Sequence, residues 1–295
     1  MSIFLKTGNQ LCVNYLDLFN NITDFARKSN DIKAMILFGS RCRSENVADE
    51  WSDYDLMFFV DNPDSFIYKD EWLEEIGNVK ISFVQPIVPQ NLERRIIFED
   101  GTDVDFIFYD VKDSRKILEN ETILLWFSRG FNILVDKCNC EKLIKENKNL
   151  VVPNTLFTES DFNNLVQKFW FECIWAVKKL NRGELWASKF CIDSYLKNLI
   201  KTLLEQEAKI IFGVDCWHDG KFFDRWAFSI EGESLQNLPQ SFGGYDKGSL
   251  CKALENTMDI FSKIAKNVYE KMKYSYLDDV ENFARNQIEL LLRKA

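Results

Sequence analysis

Ile36-Leu37-Phe38-Gly39-Ser40-Arg41, and then Ser52-Asp53-Tyr54-Asp55-Leu56-Met57-Phe58-Phe59-Val60, decide how this chain folds. An apolar run ends in Gly-Ser, and a second apolar run opens with two aspartates one residue apart. If both runs are strands, side chains two residues apart share a face, so Asp53 and Asp55 project together near the end of the first strand. Paired carboxylates are the hard, oxygen-rich donor set that Mg²⁺ takes alongside substrate phosphates. Gly39 followed by Ser40 at a strand-to-helix turn lets backbone N–H groups approach a phosphate. Alone, Gly-Ser is a common turn and Asp-x-Asp a solvated strand mouth. In this order they spell a nucleotide–metal site.

A third acid follows in Arg94-Arg95-Ile96-Ile97-Phe98-Glu99-Asp100-Gly101-Thr102-Asp103-Val104-Asp105-Phe106-Ile107-Phe108-Tyr109. Asp100-Gly101 is a hairpin signal between runs rich in β-branched and aromatic residues. Asp103 and Asp105 open the second run on one face. Strand, Gly-Ser, short helix and Asp-x-Asp strand is the order of the polymerase-beta type nucleotidyltransferase fold, which this segment resembles. The resemblance implies a third carboxylate on a neighbouring strand.

Composition narrows the alternatives. In 295 residues, 46% are hydrophobic and 25 are Phe, so the chain buries a substantial core rather than staying disordered. Apolar stretches fall short of the ~20 residues that cross a bilayer. Met1 to Gly8 lacks the basic and apolar pattern of a secretory leader, so a cytoplasmic location is expected. The eight cysteines sit in apolar contexts and read as buried thiols of a reducing compartment. A single histidine, His218, disfavours a zinc site or a serine–histidine–aspartate triad. Walker and dinucleotide-binding glycine motifs are absent. A net charge of −9 repels nucleic acid and suits a small cationic partner, although it also simply keeps a protein soluble.

The fold expected is α+β: an N-terminal domain of mixed sheet and flanking helices over 1–150, then a C-terminal α-helical bundle over 151–295. In the first half, periodicity predicts a helix over Leu11–Lys28 and strands at Lys33–Phe38, Leu56–Val60 and Val79–Gln85. A short helix over Asp70–Ile76, the Arg94–Tyr109 hairpin, a helical stretch near Asp113–Glu119 and a strand at Ile133–Asp136 complete it. In the second half, helices are expected from the Thr158–Asp161 capping signal to Leu180, over Glu184–Ile211, Gly248–Met272 and Asp278–Arg293. Asp215–Tyr245, rich in Gly, Trp and Phe, reads as an aperiodic loop.

The chain further resembles the streptomycin (aminoglycoside 6-) adenylyltransferase family. Gly39-Ser40-Arg41, Asp53-Tyr54-Asp55, Asp70-Glu71-Trp72-Leu73, Phe98-Glu99-Asp100-Gly101 and Asp105 carry the resemblance, with Phe169-Trp170, Gly183-Glu184 and Gly220-Lys221 in the second half. Phe38 stands where well-known members carry an acid. The family implies a two-domain enzyme that moves AMP from ATP to an antibiotic hydroxyl with magnesium. It implies Asp53, Asp55 and Asp105 as metal ligands, with Gly39, Ser40, Arg41 and Lys221 on the nucleotide. Asp105 is the first candidate for the base, with Glu172 from the helical half as the alternative and Asp103 ranked third. Arg41 and Lys221 read equally well as solvated surface cations. The expected partners are ATP and a cationic antibiotic, streptomycin first, bound by a monomer without nucleic acid or membrane. Two alternatives stay open: a non-catalytic antitoxin or regulatory module, or adenylylation of a protein or of a non-aminoglycoside such as a lincosamide.

Overall fold

The computed structural model of the chain describes residues 11–43, 48–88, 91–146, 156–213 and 220–293, with side chains from Asp17 onward. His218 lies outside the described residues. The chain divides into two compact units, Met1–Pro153 and Asn154–Ala295.

In chain order, the first unit contains helix α1 (Leu11–Lys28), strands β1 (Ile32–Phe38) and β2 (Tyr54–Val60), helix α2 (Asp64–Ile67), and strands β3 (Val79–Ile87), β4 (Asn91–Phe98) and β5 (Asp103–Asp110). Helices α3 (Ser114–Leu118) and α4 (Glu121–Phe127), strand β6 (Asn132–Asp136) and helix α5 (Cys140–Glu146) follow. The six strands form one mixed sheet in the order β3-β4-β5-β2-β1-β6. Only β2 and β5 pair in parallel.

Alternation along the strands builds a core on each face. Leu37, Leu56, Phe58, Phe106 and Phe108 point toward Leu18, Ile22 and Ala26 of α1 and toward Trp72. Ile36, Met57, Phe59 and Ile107 point the other way, onto Leu118, Ile123, Phe127 and Ile144. Burial on both faces is why the central strands read as nearly unbroken apolar runs. The rings of Phe66 and Phe108 stack at 5.1 Å, and Trp72 meets Phe106 edge-on at 5.2 Å. Each such ring contributes roughly 1.5–3 kcal/mol by leaving water.

Two local readings change. The expected Asp70–Ile76 helix is a single 3-10 turn, Glu71–Glu75. Trp72 and Leu73 plunge into the core there, and the Trp72 indole donates to the Phe66 carbonyl at 3.1 Å, so tertiary anchoring replaces further helical turns. Helix α4, absent from the sequence reading, starts at Asn120, whose side chain accepts the Thr122 N–H at 3.0 Å.

The second unit is helical: α6 (Glu159–Asn181), α7 (Leu185–Phe190), α8 (Leu196–Phe212), α9 (Phe223–Glu231), α10 (Lys247–Met272) and α11 (Asp278–Arg293). Its centre is the Phe169–Phe261 pair, stacked at 3.6 Å between α6 and α10. The single helix expected over Glu184–Ile211 is split by a π-helical turn, Cys191–Tyr195. That turn frees the Ile192 carbonyl, which accepts from Lys197 at 3.0 Å. Lys197 also donates to the Ser241 carbonyl and to the Thr257 hydroxyl, tying the turn to α10. The stretch expected to be aperiodic contains α9. Its inward side is Phe223, Trp226, Ala227 and Glu231, a three-and-four spacing that the surrounding glycines and aromatics concealed. Among the described residues, no helix is long and apolar enough to cross a membrane.

Candidate nucleotide–metal site

The parallel pairing of β2 with β5 sets Asp55 directly opposite Asp105. Both acids occupy the sheet face that continues as Met57 and Phe59 on one strand and Ile107 and Tyr109 on the other. Asp53 precedes β2 on the same alternation. Carboxylate oxygens of Asp53, Asp55 and Asp105 all lie within 4.8 Å of one another. Like charges so close repel strongly unless a cation or a proton intervenes. An all-oxygen donor set of three carboxylates fits a hard divalent ion such as Mg²⁺.

Gly39 ends β1 against this cluster. Its φ is +73°, and a Cβ built there would lie 1.8 Å from Asp55 Oδ2. Only glycine leaves room for the carboxylate at that turn. Ser40 is the second residue of the 3-10 turn Gly39–Cys42, and its hydroxyl is buried with no hydrogen-bond partner. A buried hydroxyl left in that state is costly, and a phosphate oxygen is the natural acceptor for it.

Arg41, the phosphate contact expected from the sequence, also holds its own neighbouring loop. Its Nε donates to the Asp53 carbonyl at 2.9 Å, another guanidinium nitrogen donates to the Ser52 carbonyl, and the group sits 3.8 Å over the Tyr54 ring. These contacts fasten the loop that presents Asp53.

Asp105 is mostly buried, and loss of solvent pushes its carboxyl up to about 6. Arg95 opposes that shift, its Nε donating to Asp105 Oδ1 at 2.7 Å, while Glu93 and Asp103 add to it. Arg95 also lies 3.8 Å from Asp103, which is outside the trio whose carboxylate oxygens converge. The sequence reading passed over Arg95, which the register of β4 and β5 pairs with Asp105.

The chain matches known proteins along most of its length. The sequence model described as "Streptomycin adenylyltransferase" covers residues 14–289. The chain belongs to the streptomycin adenylyltransferase family. It is thereby a nucleotidyltransferase. Among curated members, it is 26% identical to an aminoglycoside 6-adenylyltransferase of Bacillus subtilis, over 92% of this chain and 94% of that one. It is 24% identical to the Staphylococcus aureus enzyme of the same name, over 92% and 98%. A crystal structure of an aminoglycoside 6-adenyltransferase from Bacillus subtilis aligns over 98% of this chain and 99% of that one, at 19% identity and a TM-score of 0.42.

The remaining site residues expected of this family member lie in the helical unit. Glu172 is half-buried on α6, where the Cys191 thiol approaches its carboxylate at 3.9 Å. Burial first, and that carboxylate second, push the Cys191 thiol up to about 12. Lys221 is exposed just before α9, and its carbonyl accepts the Trp226 indole N–H. Gly220 lines a cavity of about 630 Å³ together with Asp193, Lys197, Lys201, Phe223 and Phe242.

Proposed function

We propose that this chain transfers AMP from ATP to a hydroxyl of an aminoglycoside, streptomycin being the first acceptor to test, with release of pyrophosphate. The observation that carries the reading is the Asp53–Asp55–Asp105 cluster beside the Gly39-Ser40 turn. Asp53 and Asp55, with Asp105, would hold magnesium, which when bound supplies charge neutralisation at the triphosphate. Ser40 and the adjoining backbone N–H groups orient the phosphates, and Lys221 is an added point charge for them. The acceptor hydroxyl oxygen attacks the α-phosphorus in line, the bond to the bridging oxygen breaks, and pyrophosphate leaves. Asp105 receives the hydroxyl proton. Burial raises the Asp105 carboxylate's affinity for a proton, the direction a base needs. Glu172 is the second candidate for that step. The net charge of −9 favours a polycationic acceptor and disfavours nucleic acid. We further propose that the enzyme acts as a cytoplasmic monomer, the helical unit serving the acceptor.

The test is a mass-spectrometric screen of enzyme, ATP and Mg²⁺ against aminoglycosides, lincosamides and proteins, with Asp55→Asn as control. The expected result is addition of one AMP to an aminoglycoside by the native chain and none by the variant. Transfer only to lincosamides or protein, or undiminished transfer by Asp55→Asn, would overturn it.

A further inference from the structure

The same end of the sheet carries two arginines that the mechanism above does not use. Cys42 closes the turn after β1, and Gly130 lies between α4 and β6. The two backbones meet there: Gly130 has φ +124°, and a Cβ built on it would lie 1.9 Å from the Cys42 carbonyl oxygen. That contact brings together the next residue on one strand of chain, Arg43, and the preceding residue on the other, Arg129. Burial holds the Arg43 guanidinium below its ordinary value, and the charge of Arg129 adds to this, while Asp55 and Asp53 pull the other way. Arg43 therefore feels both its fellow arginine and the acidic cluster. Its Nε is buried with no hydrogen-bond partner, like the Ser40 hydroxyl three residues earlier. A buried donor left unpaired is costly, and bringing two like charges together adds to the cost. A polyanion docked between them removes both penalties.

We propose that Arg43 and Arg129 form an anion clamp beside the carboxylates that takes the terminal phosphate oxygens of the nucleoside triphosphate and, after transfer, pyrophosphate. The clamp rests on the ATP reading of the site. Guanidinium forks suit this duty because they meet phosphate oxygens with two parallel N–H donors and keep their charge. The division of labour is chemical: carboxylates address the metal side of the triphosphate and arginines address its bare oxygens. Neither arginine belongs to Gly39-Ser40-Arg41, whose own arginine is occupied with the Asp53 loop.

Calorimetric titration of inorganic pyrophosphate and, separately, AMP into the native chain, Arg43→Gln, Arg43→Lys and Arg129→Gln tests the clamp. Pyrophosphate should bind about tenfold more weakly to each Gln variant, Arg43→Lys should fall between, and AMP affinity should not change. If Arg43→Gln melts early, Arg43→Lys and Arg129→Gln carry the comparison. Native-like pyrophosphate binding by both Gln variants, or an equal loss of AMP binding, overturns the clamp. Steady-state kinetics separates it from the transferase reading. Transfer with an unchanged ATP KM in both Gln variants sinks the clamp alone. Arginine-dependent pyrophosphate binding by a native chain that modifies no acceptor sinks the transferase reading and leaves the clamp.

Discussion

Asp105 is the residue on which the proposed chemistry turns, because that reading places two demands on it. It shares a carboxylate cluster with Asp53 and Asp55, the proposed metal site, and it is held by Arg95 through one oxygen. That bond occupies Oδ1, so in the proposed reaction the second oxygen is the one left for the substrate proton. Glu172 is placed otherwise, half-buried on α6 with a buried thiol as its neighbour. The two candidates therefore separate by experiment. Asp105→Ala should abolish AMP transfer and weaken Mg²⁺-dependent ATP binding, whereas Glu172→Ala should lower kcat several-fold at most and leave the Mg²⁺ titration unchanged. A dead Glu172→Ala beside a fully active Asp105→Ala would transfer the base to the helical unit. The aspartates were legible as a set in the sequence because period-two alternation and apolar flanks leave few other readings. Arg95 was not sought, since its importance depends on the hairpin register.

At the level of elements, local signals worked where a helix starts or stops under its own chemistry. Thr158 and Asp161 bracket the start of α6: the Asp161 carboxylate accepts the Thr158 N–H at 2.9 Å, and the Thr158 hydroxyl accepts the Asp161 N–H at 3.3 Å. The Thr158 hydroxyl also donates to that carboxylate at 2.7 Å, and this bond first, with the one from the Thr158 N–H second, holds the Asp161 carboxyl below its ordinary value. Thr158→Ala should cost about 1 kcal/mol, the usual worth of an N-cap, read as a lower midpoint in urea unfolding. An unchanged midpoint would mean that packing of Phe162 and Phe169 alone sets where α6 begins. The π-helical turn and α9 were missed for the opposite reason. Both are settled by distant partners, Ser241 and Thr257 for the first and the core beneath Trp226 and Ala227 for the second.

At the scale of the whole molecule, the acidic balance reaches the interior. Glu207 is fully buried in the helical unit, where loss of solvent pushes its carboxyl up to about 7 against the pull of Lys271. Glu231 shares that lysine, and burial would raise it too. Hydrogen bonds from Ser234, Glu207 and Asn267 outweigh this and hold it low. A carboxyl whose folded value is raised favours the folded state below its unfolded value of 4.5, and that contribution disappears as pH rises through about 7. The melting temperature of the native chain should therefore fall between pH 5 and pH 8, by an amount corresponding to about 1 kcal/mol after solvent screening. Glu207→Gln should flatten that slope. Identical slopes in the two proteins would place the pH dependence elsewhere.

The sequence by itself determined the two-part α+β organisation, the order of the strands along the chain, the turn at Gly39-Ser40 and the pairing of Asp53 with Asp55 on one face. Each of these follows from local physics: alternation, turn chemistry, helix caps, and the cost of placing charge in an apolar run. Only the tertiary structure decided that β2 and β5 lie side by side in parallel, so that Asp55 meets Asp105. It alone decided that Arg41 braces a loop, that Arg95 grips the third acid, and that Gly130 against Cys42 sets Arg43 beside Arg129. The reason is that a side chain's type is written in one position, whereas its neighbour depends on register and crossing. Those are fixed by how apolar faces far apart in the chain bury one another.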